Sequence, residues 1–162
     1  MTSTKPKIGF YPCCSSDILE PLAMVEDYVD EMIFCDIRDT PVKKVNSNKH
    51  KKPIPTFLKG DIRETISTVK LIDLLFYRRD TGGEGGSGVW VLGDSFLPRI
   101  LARFNPKGGL IITDGSNNRG GIFKKMKSAS GLTKFGWHIE KTEDQPFKEK
   151  FGLFKFKVSP LI

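Results

Sequence analysis

The chain has 162 residues, a formal net charge of +7 and 38% hydrophobic residues, 12 of them Phe. That length suffices for a single domain with a packed core. No apolar run approaches the ~20 residues of a membrane span, and Met1 to Lys7 lacks the apolar stretch of a signal peptide, so a soluble cytoplasmic protein with no membrane partner is expected. Three Cys, two of them adjacent as Cys13 and Cys14 with Cys35 apart, show no metal-ligand spacing. Free thiols in a reducing compartment are expected, and no metal site. Lysines cluster at Lys43, Lys44, Lys49, Lys51 and Lys52 and again at Lys124, Lys125 and Lys127. These read either as a surface for nucleic acid or another anionic partner, or as solubilising charge.

In chain order, Lys7 to Tyr11 reads as a first strand with Pro12 to Asp17 as its exit loop. Ser16 or Asp17 is placed to cap the next helix, with Glu20 as a capping-box partner and Pro21 in the first turn. Leu22, Met24 and Val25 supply its short apolar face. Glu31 to Asp36 is a second strand ending in an acid. Thr40 to Pro53 is basic and polar. Thr56 to Lys59 is a weaker third strand closed by Gly60-Asp61, and Glu64 to Val69 is a short connection.

The centre of the chain is Leu71 to Asp114. The run Leu71 to Tyr77 suits a strand buried on both faces. Phe96, Leu97, Ile100, Leu101 and Phe104 recur at helical spacing, and Asn105 to Gly109 stops that helix. Leu110 to Thr113 is the next strand. Parallel strands need such a crossover helix. Arg78 to Gly88 and Asp114 to Asn117 then both follow carboxyl ends and share one rim, the place where open α/β sheets bind ligands. After it, Ile122, Phe123 and Met126 fit a further helix. Trp137 to Lys141 and Phe154 to Val158 read as strands joined by a turn at Asp144-Gln145-Pro146, an antiparallel hairpin with no helix between.

Five strand–helix steps followed by an antiparallel hairpin resemble the class I S-adenosylmethionine-dependent methyltransferases. Ile72 to Phe76 looks like that family's fourth strand, and Leu101 to Asp114 like its fourth helix, Pro-x-Gly-Gly turn and fifth strand. The resemblance implies a three-layer, Rossmann-like α/β fold with a mostly parallel sheet. It also implies S-adenosylmethionine as cofactor. Asp36 resembles the acid that holds the ribose hydroxyls, and Asp61, with Ile62 beside it, the acid that meets the adenine. The family's first loop, such as Gly-x-Gly-x-Gly, is replaced here by Tyr11, Pro12, Cys13, Cys14, Ser15, Ser16 and Asp17, with no glycine. These residues, Pro12 apart, are the remaining cofactor-binding candidates.

Each candidate has a plainer reading beside it. Asp36 is a ribose ligand or a turn acid partnering Arg38, and Asp61 is a cofactor contact or Gly-Asp turn chemistry. Thr81 to Gly88 holds five glycines. It reads as a lid carrying Glu84 or as a flexible surface loop. Gly83-x-Gly85-x-x-Gly88 also matches the dinucleotide fingerprint, though Val89-Trp90-Val91 is a poor helix start. Arg78 and Arg79, with Asp80 after them, can hold a carboxylate or phosphate bidentately or stay solvated. Asp114 and Ser116 supply polar groups to the same rim or form a turn. Cys13 and Cys14, at a strand-to-helix turn, are candidates for a lowered thiol pKa. No methyl acceptor or oligomeric state can be read. The expected function is a small S-adenosylmethionine-binding, methyltransferase-like protein. The alternative is a non-catalytic relative that binds another nucleotide-like or anionic ligand, or nucleic acid.

Overall fold

The computed structural model describes residues 5–40, 42, 52–80, 88–93, 96–115, 136–142 and 144–161. Seven strands form one sheet: β1 (Ile8–Pro12), β2 (Glu31–Asp36), β3 (Ile54–Lys59), β4 (Leu74–Tyr77), β5 (Gly109–Thr113), β6 (Trp137–Lys141) and β7 (Phe154–Pro160). Their spatial order is β3-β2-β1-β4-β5-β7-β6. The first five run parallel, β7 is antiparallel to β5, and β6 is antiparallel to β7. The expected mostly parallel α/β sheet is therefore present, and β1, β4 and β5 are neighbours as expected. The order reverses between β1 and β4, the switch point at which such sheets open a crevice.

Central strands have apolar side chains on both faces because both faces are covered. All four residues of β4 are buried, as are Phe10 and Tyr11 of β1 and Ile111 and Ile112 of β5. Tyr11 packs edge-on to Phe76 with ring centroids 4.9 Å apart. A short helix, α1 (Leu19–Val25), follows β1 and buries Pro21, Met24 and Val25. After β3 comes α2 (Ile62–Thr65), which continues as a 3-10 turn, Ile66–Thr68. The helix α3 (Leu97–Leu101) crosses from β4 to β5 and buries Leu97, Ile100 and Leu101.

Three expectations are corrected. The fourth strand is shorter than Leu71 to Tyr77: Asp73 bonds the flanking strands through its backbone, N–H to the Ile8 carbonyl at 2.7 Å and carbonyl from Leu110 N at 3.0 Å, and adds its side chain to these bonds. Asp73 Oδ2 accepts from Ile8 N at 2.9 Å, and Oδ1 accepts from Asn105 Nδ2 at 3.0 Å. The ladder ahead of it reduces to one bridge between Ile72 and Phe104. Gly109 is needed beside that carbonyl: a Cβ there would stand 2.3 Å from the Asp73 carbonyl oxygen.

Second, neither Ser16 nor Asp17 caps α1. Ile18 holds that position without a side-chain bond, and Glu20 is not a capping-box partner but reaches Arg78 at 3.0 Å.

Third, β6 and β7 do pair antiparallel, but a helix lies between them, α4 (Gln145–Phe151). Asp144 caps it by accepting from Phe147 N at 3.1 Å, Pro146 sits in its first turn, and Gly152 ends it at φ 70°. Asp-x-Pro followed by glycine is a start-and-stop signature, because Pro lacks the N–H that an opening turn leaves unused. The expected helix around Ile122 and most of the Thr40 to Pro53 stretch lie outside the described residues. Among the described residues no helix is long and apolar enough to cross a membrane.

Candidate functional site

The exit loops of β1 to β4 enclose a cavity of about 460 Å³ at the carboxyl rim. Its wall takes Cys13, Ser15 and Ser16 from the first loop and Asp36, Ile37, Arg38 and Asp39 from the second. Gly60, Asp61, Ile62 and Arg63 come from the third, and Arg79, Asp80 and Val89 from the stretch after β4.

The first loop has no glycine, yet its backbone turns as glycine would. Cys13 sits at φ 57° and Ser15 at φ 53°. A left-handed conformation costs a residue with a Cβ roughly 1–2 kcal/mol. The bonds that hold it are short. Ser15 N donates to Asp36 Oδ2 at 2.8 Å, and Cys14 N donates to the Cys35 carbonyl at 3.1 Å. A hydrogen bond to a charged group contributes roughly 1.5–3 kcal/mol, enough to offset one such residue. Asp36 Oδ1 meanwhile accepts from Arg38 N at 2.9 Å, so Asp36 partners the Arg38 backbone as well as that of Ser15.

Behind this loop lies a buried polar group. Arg78, 3% exposed, follows β4 and turns its guanidinium inward. Nε donates to Asp17 Oδ2 at 2.8 Å and Nη2 to Asp17 Oδ1 at 2.9 Å. Tyr11 Oη donates to Asp17 Oδ2 at 2.7 Å, and the Arg78 carbonyl oxygen lies 3.2 Å from the same hydroxyl. Bonding to Asp17 raises the Arg78 pKa further above its ordinary value. Burial alone would raise the Asp17 carboxyl, but Arg78 and Tyr11 hold it below the ordinary carboxylate value. Burial, then the Asp17 charge, raises the Tyr11 phenol. Arg78 is thus committed within the chain, and its expected role as a clamp for a ligand carboxylate or phosphate is replaced by a tie between two exit loops.

Arg79, at φ 58°, donates its N–H to Asp114 Oδ2 at 3.0 Å. The described parts of the two polar clusters, Arg78 to Asp80 after β4 and Asp114 after β5, therefore share one rim. Asp80 is 8% exposed on the pocket wall and accepts from the Tyr77 hydroxyl. Asp61 caps α2 through Arg63 N at 2.9 Å and takes the Arg63 guanidinium as well, with Nη2 2.6 Å from Oδ2. Bonding to Arg63 lowers the Asp61 pKa.

The candidates divide accordingly. Cys13, Ser15, Ser16, Asp36, Asp61, Ile62, Arg79 and Asp80 line the cavity. Tyr11, Cys14, Asp17 and Arg78 lie in the core or the buried group, and Asp114 is on the Arg79 backbone. Gly83, Glu84, Gly85 and Ser116 fall outside the described residues, and so does the lid. Burial first, then the Asp36 charge, raises the Cys14 thiol, which reverses the expectation of a lowered pKa there. The sequence reading missed Ile37, which is 63% exposed on the pocket wall. An apolar residue directly after a strand-end acid was the available signal.

No protein-family model matches the sequence, and no curated protein matches it. Solved structures do match in shape. Ribosomal protein L11 methylase from Lactobacillus delbrueckii subsp. bulgaricus superposes with a TM-score of 0.55 at 14% identity, over 98% of this chain and 72% of that one. The chain has the class I methyltransferase-like fold. Precorrin 8w decarboxylase from Methanobacterium thermoautotrophicum gives 0.53 at 14% identity, over 97% of this chain and 83% of that one. Phosphoethanolamine N-methyltransferase 1 from Haemonchus contortus, solved with phosphoethanolamine and S-adenosylhomocysteine, gives 0.51 at 11% identity, over 100% of this chain and 41% of that one. A methylase and a decarboxylase share this methyltransferase-like fold, so the fold does not select a reaction. Within it, Cys13 and Ser15 hold left-handed backbone two residues apart, the spacing of a Gly-x-Gly loop.

Proposed function

We propose that the rim cavity binds S-adenosylmethionine and that the protein is a small methyltransferase-like protein. The observation that carries this reading is Asp36. Its carboxylate stands on the cavity wall at the end of β2, fixed by the Ser15 and Arg38 N–H groups. A carboxylate has about four acceptor sites, so two remain for the vicinal hydroxyls of a ribose. Ile37 offers an apolar surface beside it for a purine ring, and Ile62, at the start of α2, lies on the same wall.

The charges of the wall fit as well. Four carboxylates (Asp36, Asp39, Asp61 and Asp80) face three guanidiniums (Arg38, Arg63 and Arg79). Such a mixed lining suits a ligand that carries a sulfonium, an ammonium and a carboxylate. A cavity of this size lies in the range of about 300–1,000 Å³ typical of small-molecule sites. When bound, the cofactor would supply an electrophilic methyl group. The chain's own residues would supply the ribose acceptor and the mixed-charge wall.

Calorimetric titration with S-adenosylmethionine, S-adenosylhomocysteine and NAD tests the reading. The two sulfur ligands should bind and NAD should not. Binding of NAD alone would favour a relative adapted to another nucleotide. No heat with any of them at millimolar concentration would remove the cofactor assignment.

A further inference from the structure

The far side of the same rim carries a second feature, built from β6, α4 and β7. Phe154 opens β7 opposite Thr113, the last residue of β5, and Lys141 closes β6 opposite Phe156. The Lys141 ammonium stands 4.6 Å from the Phe154 ring centroid, and that of Lys148, from α4, stands 5.0 Å from it. Two residues on, and about 200° further round the helix, the Lys150 ammonium stands 5.1 Å from the centre of the Phe151 ring. Lys148 and Lys150 are exposed and Lys141 is half-buried.

Among the described residues these three ammoniums have rings for partners and no carboxylate. Lys155 of β7 differs: its ammonium lies over the Tyr28 and Phe147 rings and also pairs with Asp144. A ring face holds a cation in place without neutralising it, which leaves the charge available to an anion. Glu149 is the one carboxylate within α4 and lies between Lys148 and Lys150, about 100° round the helix from each.

We propose that this lysine–phenylalanine surface binds the phosphodiester backbone of a nucleic-acid strand. The surface stands independently of what occupies the cavity. Its chemistry selects among polyanions. A lipid surface or a protein partner would need apolar side chains to bury. Among the described residues the large exposed apolar ones are Leu19, Ile37, Ile54, Leu71, Trp90 and Leu161, and none belongs to β6, α4 or the start of β7. Phe147 is buried, and Phe151 and Phe154 are already covered in part by lysines. What remains outward is point charge, the form of contact that lysine makes with phosphate. The chain's formal net charge of +7 acts in the same direction over longer range.

The test is fluorescence anisotropy of a labelled oligothymidylate across a salt series, with the protein free of added cofactor. The variant is Lys141→Gln with Lys148→Gln and Lys150→Gln. Losing three phosphate contacts should flatten the slope of log K against log salt by about 2, since each contact on a single strand contributes about 0.7. The corresponding triple Lys→Arg variant should restore the slope, and Lys52→Gln with Lys59→Gln should leave it unchanged. Circular dichroism confirms that each variant is folded. A triple Gln variant with wild-type slope overturns the proposal, as does wild-type protein that shows no binding at low salt. Competition by polyglutamate as effective as that by unlabelled strand, or sedimentation with anionic vesicles, also overturns it in favour of a different anionic partner.

Discussion

Arg78 and Asp17, 61 residues apart in the chain, meet as a two-bond fork inside the crevice between β1 and β4. The pair joins the exit of β4, which carries Arg79 and Asp80 onto the cavity wall, to the loop that carries Cys13 and Ser15 onto it. The Tyr11 hydroxyl lies against both partners at once, the Asp17 carboxylate and the Arg78 carbonyl. Two walls of one pocket are thereby tied together by the buried Arg78 guanidinium.

Arg78→Ala should therefore destabilise the protein by about 3–5 kcal/mol, because it leaves the Asp17 carboxylate half-buried without its counter-charge. Asp17→Ala should cost less, since Glu20 still reaches the guanidinium at 3.0 Å. Urea unfolding of both variants measures the difference. Equal losses would mean that Glu20 contributes nothing in solution.

The same pair sets an acid limit. The folded-state Asp17 pKa is lowered relative to the ordinary 3.8. A depressed carboxyl contributes stability that is complete above its unfolded pKa and is lost as pH falls through the folded value. Unfolding free energy measured from pH 5 downward should fall from about pH 4. In Asp17→Asn that decline should be shallower, from a lower starting stability.

This pair also marks where the sequence stops being legible. The β2 strand could be read to the residue because its apolar run lies between Glu31 and Asp36, and β6 because apolar Trp137 and Ile139 alternate with His138 and Glu140. Asp17 looked like a helix cap and Arg78 like a ligand clamp, since spacing along the chain shows nothing of a partner 61 positions away. The helix α4 reads as a turn in the sequence because Asp144-Gln145-Pro146 suits both. Asp36 could be picked out as a strand-end acid, and the structure puts it on the cavity wall. The left-handed backbone at Cys13 and Ser15 could not, since neither residue type announces positive φ.

The thiols give an independent check on the buried loop. Burial raises the pKa of both Cys14 and Cys35, so neither forms much thiolate at neutral pH. Iodoacetamide at pH 7.5 should leave both unlabelled in folded protein and label both in denaturant, as read by peptide mass. Rapid native labelling of Cys14 would show that the loop opens in solution.

The glycine-free loop yields the most specific expectation. Ser15 holds φ 53° while donating its N–H to Asp36, and only the backbone is needed for either. Ser15→Gly removes the Cβ penalty of roughly 1–2 kcal/mol and adds back about 0.4–1 kcal/mol of unfolded-chain entropy. The net change should be neutral to about 1 kcal/mol stabilising, with S-adenosylmethionine affinity retained. Ser15→Val should destabilise, because a β-branched side chain tolerates positive φ least. Asp36→Ala should do two things at once: loosen the loop, and weaken the cofactor by roughly 1.5–3 kcal/mol through loss of its charged acceptor. Thermal melting and calorimetry on the three variants separate these effects. A Ser15→Gly variant that melts well below wild type would show that the serine side chain, and not the backbone turn, holds this wall of the cavity. An Asp36→Ala variant with unchanged affinity would take Asp36 out of the ribose site.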